Sequence, residues 1–170
     1  MTERHVADIN PALKTPTDLA RNDTRTVAEA LNGALADCYA VYLKTKNFHW
    51  HVSGPHFRDY HLLLDDQATQ ILGVTDAIAE RVRKTGNVTL RSIGDIARRQ
   101  TLTDNDADYV APGDMLAELR DDNLKLVERF REVKDAAEEA KDNATSGIVD
   151  EWTDQAEERA WFLFEASRKG

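Results

Sequence analysis

Turn residues, cysteine and long apolar runs are all scarce in this 170-residue chain. Eight Gly and four Pro supply so little turn chemistry that no series of short, regularly spaced strands is visible. The one cysteine, Cys38, excludes an internal disulfide framework and suits a reducing compartment; its expected role is a small apolar residue within a helix. No apolar run approaches the roughly 20 residues that a membrane span needs. The opening MTERHVADINPALK lacks the apolar core of a signal peptide. The expected location is therefore cytoplasmic, with no membrane partner. Basic residues are also outnumbered: 22 Lys and Arg face 31 Asp and Glu, a net charge of -9. That balance keeps the protein soluble, argues against tight general binding to DNA phosphates, and is compatible with attracting cations.

What is present is helix. The charged fraction of 31% and hydrophobic fraction of 41% fit one soluble domain of this length, and long segments of Ala, Leu, Glu, Asp and Arg favour helix. Residues 1–22 read as a flexible polar arm interrupted by Pro11 and Pro16, its Arg4, Lys14 and Arg21 offset by acids. The domain is 23–170. Val27, Leu31, Leu35, Cys38 and Tyr42 mark a first helix, capped by Asp23 or Thr24 and running to His49 or His51. Ser53-Gly54-Pro55 turns the chain, with Pro55 suited to the first position of a second helix that ends at Gly86. Leu62, Leu63, Leu72 and Ala79 widen that helix's apolar stripe, so it is expected to be buried on more than one side. Residues 87–111 form the longest irregular connection, with a short helix over 92–99. A helix that follows Pro112-Gly113-Asp114 and runs to about Lys141, a break at Asn143-Ala144-Thr145 and a last helix over 146–167 come next. Ile148, Trp152, Ala156, Trp161 and Phe164 are the apolar marks of the last one. Four long helices with one long crossover, carrying a short extra helix, form an all-α, ferritin-like four-helix bundle.

Four of the five histidines, His49, His51, His56 and His61, fall in one stretch, followed by Asp65, Asp66, Asp76 and Glu80. His61 and Asp65 are four apart, as are Asp76 and Glu80, so all four share one face of the second helix. The two pairs are offset by fifteen residues, roughly 22 Å of helix, which no single ion bridges. An antiparallel second copy, with a two-fold axis near Gln70 and Ile71 and close approach at Gly73, brings each pair opposite the other and makes two sites per dimer. The hairpin turn also brings His49 towards His61. Imidazole and carboxylate donors without thiolate suit iron, manganese or zinc. The same residues equally describe histidines at a turn and acids on a wet face. His51 and His56 lie off the stripe and are expected at the surface, as is Asp66. Trp50 is an interface or core aromatic by residue type.

The run Asn47-Phe48-His49-Trp50-His51-Val52-Ser53-Gly54, then Phe57, His61 and Asp65, then Asp76-Ala77-Ile78-Ala79-Glu80-Arg81, resembles the Dps family of mini-ferritins. The family pattern is HWN-x-x-G, F-x-x-x-H-x-x-x-D and D-x-x-A-E-R, at these separations. The resemblance implies a dodecameric shell that oxidises Fe(II), preferably with hydrogen peroxide rather than oxygen, stores ferric mineral and so protects DNA from oxidative damage. It implies an intersubunit ferroxidase site at His49, His61, Asp65, Asp76 and Glu80, with room for two irons and Trp50 alongside to take up oxidising equivalents. Two departures matter. His51 stands where the family usually has Asn, and the lysine-rich arm that some members use on DNA is absent. Arg168 and Lys169 are too few to replace it. Nucleoid compaction with a secondary metal site is the alternative function. Asp150, Asp154 and Glu157 are either pore-lining acids or an ordinary solvated face.

Overall fold

The computed structural model describes residues 9–168. Arg4 and the rest of 1–8, and Lys169, lie outside the described residues. Five α-helices follow one 3-10 turn at Pro11–Leu13: α1 (Arg21–His51), α2 (Phe57–Lys84), α3 (Ile93–Arg99), α4 (Pro112–Glu139) and α5 (Asn143–Ser167). No strand occurs among the described residues, and no described helix is long and apolar enough to cross a membrane.

The helices pair as hairpins. α1 lies along α2 and α4 along α5; α1 also packs on α4, α3 rests on α1, and α2 meets α5 along a thin seam. The main core joins Leu31, Leu35 and Val41 of α1 to Ile71 and Ile78 of α2, Leu126 and Phe130 of α4, and Trp152 and Ala156 of α5. A smaller cluster around Phe48, Leu64, Met115, Leu119 and Leu163 fills the end of the bundle beside the histidines. The connection after α2 is pinned rather than loose. Buried Asp37 on α1 accepts hydrogen bonds from the backbone N–H and hydroxyl of Thr101 and from Arg129 Nε.

Several boundaries differ from the sequence expectation. α1 starts at Arg21 with no side-chain cap, because the cap position is Ala20, which has no side-chain acceptor; Thr24 lies inside the first turn, its hydroxyl donating to the Arg21 carbonyl. Pro55 stays in the turn: Phe57 N–H closes on the Gly54 carbonyl, and α2 begins at Phe57. Gly86, at φ 82°, ends α2 in the left-handed region. Asn143-Ala144-Thr145 is not a break but the first turn of α5. Asp142, just before it, takes the Thr145 N–H on its carboxylate, so the reversal falls at 140–142.

Two apolar faces are also redrawn. α5 buries Val149, Trp152, Ala156, Ala160 and Leu163, a single stripe, whereas Ile148, Trp161 and Phe164 fall outside it and are exposed. α2 buries one side only. Leu62 and Leu72 remain 44% and 42% exposed because no element of the same chain reaches that face. Part of the N-terminal arm is ordered against the end of α2: Arg83 donates to the Leu13 carbonyl, and a Cβ at Gly86 would sit 3.0 Å from the Thr15 carbonyl.

Candidate metal centre

The 1–2 hairpin places His49, in the last turn of α1, directly across from His61, in the second turn of α2. Their rings stack with centroids 3.8 Å apart and planes inclined by 20°. Each ring binds the other residue's main chain: His49 Nδ1 lies 2.8 Å from the His61 carbonyl, and His61 Nδ1 lies 2.9 Å from the His49 carbonyl. A carbonyl oxygen only accepts, so both Nδ1 atoms carry the proton and donate. In this tautomer the lone pair of each imidazole falls on Nε2, the form in which imidazole ligates a metal.

Asp65 stands one turn further along α2, its Oδ1 3.8 Å from His49 Nε2. Lys46, one turn before His49, reaches the same oxygen with its Nζ at 2.7 Å. That hydrogen bond is the main reason the Asp65 carboxyl is held below its usual range. The Lys46 ammonium also lies over the Trp50 ring, 5.8 Å from its centroid. Trp50 itself is 59% exposed, so it is no core aromatic of the single chain.

Asp76 and Glu80 are exposed on the outer side of α2, and Glu80 pairs with Lys84 at 3.3 Å. Among the described residues, no three His, Cys, Asp or Glu side chains gather closely enough to hold a metal ion. The chain pairs His49 with His61 and sets Asp65 3.8 Å from His49, and it leaves Asp76 and Glu80 apart from them. Gly73, midway along the same face, has open space where a Cβ would be. His51 and His56 are exposed; the His51 Nδ1 is held at 2.8 Å by the Asn47 carbonyl, away from the paired rings. Asp66 is exposed as well. Arg81 turns inward instead, donating to Asp142 and Thr145 and tying α2 to the 4–5 turn. Asp150 and Glu157 are engaged by Lys134 and Arg131, and Asp154 is exposed.

Sequence reasoning passed over Lys46. The signal was available: Lys46 precedes His49 by three residues and Trp50 by four, so a helix puts it on their side.

The fold and the histidine–carboxylate hairpin define a ferritin-like protein, and a family model for the ferritin-like domain matches residues 28–169. The chain is 34% identical over 138 residues to an uncharacterised low temperature-induced protein of Nostoc, covering 81% of this chain and 77% of that one. It is 30% identical over 159 residues to DNA protection during starvation protein 1 of Deinococcus radiodurans, covering 94% and 77%. An archaeal Dps homologue from Halobacterium salinarum superposes with a TM-score of 0.87 at 26% identity, over 99% of this chain and 96% of that one. The chain belongs to the Dps family of ferritin-like proteins.

Proposed function

We propose that the protein is an iron-storing, iron-detoxifying mini-ferritin whose ferroxidase site is shared between two copies of the chain. The observation that carries this reading is the reciprocal His49–His61 pair. It holds both rings by Nδ1 and leaves His49 Nε2 3.8 Å from the Asp65 carboxylate. Three donors of mixed nitrogen and oxygen type suit Fe(II) and also Zn(II) or Mn(II), and they leave coordination positions open. The missing anionic donors are Asp76 and Glu80 of a second copy. The exposed face that carries them, with Leu62 beside His61 and Leu72 and Gly73 between the half-sites, supports an antiparallel α2–α2 contact. An apolar strip with a bare glycine at its middle is a surface two helices approach closely.

Fe(II) is the substrate. Two ferrous ions each give one electron to hydrogen peroxide, whose O–O bond breaks; with two waters, the products are two ferric oxyhydroxide units and four protons. The carboxylates offset the ferrous charge and the fixed imidazoles complete an open sphere, while the metal performs the electron transfer. Trp50, exposed within a turn of His49, is placed to take up a stray oxidising equivalent. Oligomerisation into a closed shell, a dodecamer by family resemblance, gives the mineral its cavity. Removing iron and peroxide together is how such a protein protects DNA.

The test is Asp76→Ala with Glu80→Ala. Stopped-flow ferric absorbance is expected to show oxidation slowed at least tenfold, with the assembly unchanged by analytical ultracentrifugation. Wild-type rates in that double variant sink the proposal.

A further inference from the structure

Among the described residues Lys46 is the cation at the half-site, and it has no part in the reading above. Lys46 Nζ sits 2.7 Å from Asp65 Oδ1, and that oxygen is the one 3.8 Å from His49 Nε2. Two donors each about 2.1 Å from one tetrahedral ion lie roughly 3.4 Å apart, so the 3.8 Å gap has to close only slightly for one divalent ion to take both. The ammonium and an incoming metal therefore address the same carboxylate oxygen. Charge makes the competition unequal in the lone chain. Asp65 is balanced by Lys46, so its carboxylate carries no unpaired charge to draw a divalent cation. The ammonium also has somewhere else to go, because it already lies over the Trp50 ring, 5.8 Å from the centroid.

We propose that Lys46 is a resident counter-cation that ties metal loading to assembly. In the single chain its ammonium holds the metal-facing oxygen of Asp65. In the dimer, two further carboxylates from the second copy tip the balance, and the divalent ion displaces the ammonium towards Trp50. Lys46 is a positioning residue: it touches the ligand, not the metal, and sets how tightly and in which assembly state the metal is held. This inference rests on the intersubunit reading of the site.

The experiment titrates the assembled full-length protein with redox-inert Zn(II) in a calorimeter, comparing wild type, Lys46→Met, Lys46→Arg and the Asp76→Ala/Glu80→Ala double variant. Lys46→Met keeps the length of the side chain and removes its charge. It is expected to bind Zn(II) about fivefold more tightly, the range of an exposed ion pair, while Lys46→Arg stays close to wild type. Zn(II) is expected to change tryptophan emission in wild type, and to do so much less in Lys46→Met and in Trp50→Phe. A Lys46→Met protein that binds Zn(II) as wild type does, or more weakly, overturns the role of Lys46. If the Asp76/Glu80 double variant in the same series loses affinity, the shared site still stands. If wild type takes up no Zn(II), or the double variant binds it undiminished, the shared site falls and the inference falls with it.

Discussion

His49 and His61, twelve residues apart, each donate from Nδ1 to the other's main-chain carbonyl. A pair of side chains is thus oriented by the backbone of the hairpin itself, so the imidazoles cannot rotate away without losing both bonds. Free neutral imidazole tolerates either tautomer, but here only the Nδ1–H form satisfies the carbonyls. Nitrogen-15 NMR near pH 8 is expected to report protonated Nδ1 and bare Nε2 for both residues. An Nε2–H signature for either ring refutes the arrangement.

Sharing of the site between copies has a quantitative consequence. A chain carrying His61→Ala and Asp65→Ala and a chain carrying Asp76→Ala and Glu80→Ala are each expected to oxidise Fe(II) slowly. Unfolded together and refolded as a mixture, they form mixed dimers in which one of the two sites is intact. Random pairing restores roughly a quarter of the wild-type rate, because about half the dimers are mixed and half their sites work. No recovery in a mixture that reassembles normally excludes the shared site.

Lys44 makes a stability prediction distinct from the metal. Its ammonium is buried, 2.7 Å from Asp122 and 2.9 Å from Glu118, and ties α1 to α4. Burial pulls its pKa down, but the two carboxylates outweigh burial and hold it above its usual value. A raised lysine pKa contributes stability that is complete below the unfolded value and fades as pH climbs through the folded one, so this contribution is intact at neutral pH. Lys44→Met strands Asp122 in the core and is expected to cost about 3 kcal/mol, read as a lowered Tm by calorimetry. An unchanged Tm contradicts it.

Cys38 is expected to be inert. Burial beside α4 and α5 pushes its thiol up to about 12. At pH 8 the thiolate that attacks disulfide reagents is nearly absent, and the sulfur is covered. Ellman's reagent should label the native protein hardly at all and the urea-unfolded protein at one thiol per chain. Rapid native labelling refutes this placement.

DNA binding is expected to be absent or weak. With 31 acids against 22 basic residues, the chain offers no general phosphate neutralisation. A gel-shift series near neutral pH and falling salt should show no retardation. Retarded DNA that weakens steeply with salt favours the nucleoid-compacting alternative.

The helices were legible because their information is local. Apolar residues at three- and four-residue spacing and Gly86 beyond α2 each act within a turn or two. The errors lie where a distant or competing contact decides. Thr24 bonds back to Arg21 rather than capping α1, and Asp142 outcompetes the expected break by capping α5. Trp161 and Phe164 are among the apolar marks of the last helix yet stay exposed, because α5's buried stripe is set by what α4 and α2 present to it.

The same division holds at the candidate site. The sequence by itself determined that His61 and Asp65 share one helical face with Asp76 and Glu80, and that helix geometry keeps the two pairs about 22 Å apart. It also implied that His49 meets His61 across the turn. Only the tertiary structure decided how they meet, through carbonyls that fix both tautomers, and that Lys46 stands on Asp65. Spacing along a helix is a property of one segment and can be counted from residue numbers. Tautomer, ion pairing and exposure depend on atoms brought together across the hairpin, and these exist only once α1 and α2 have packed.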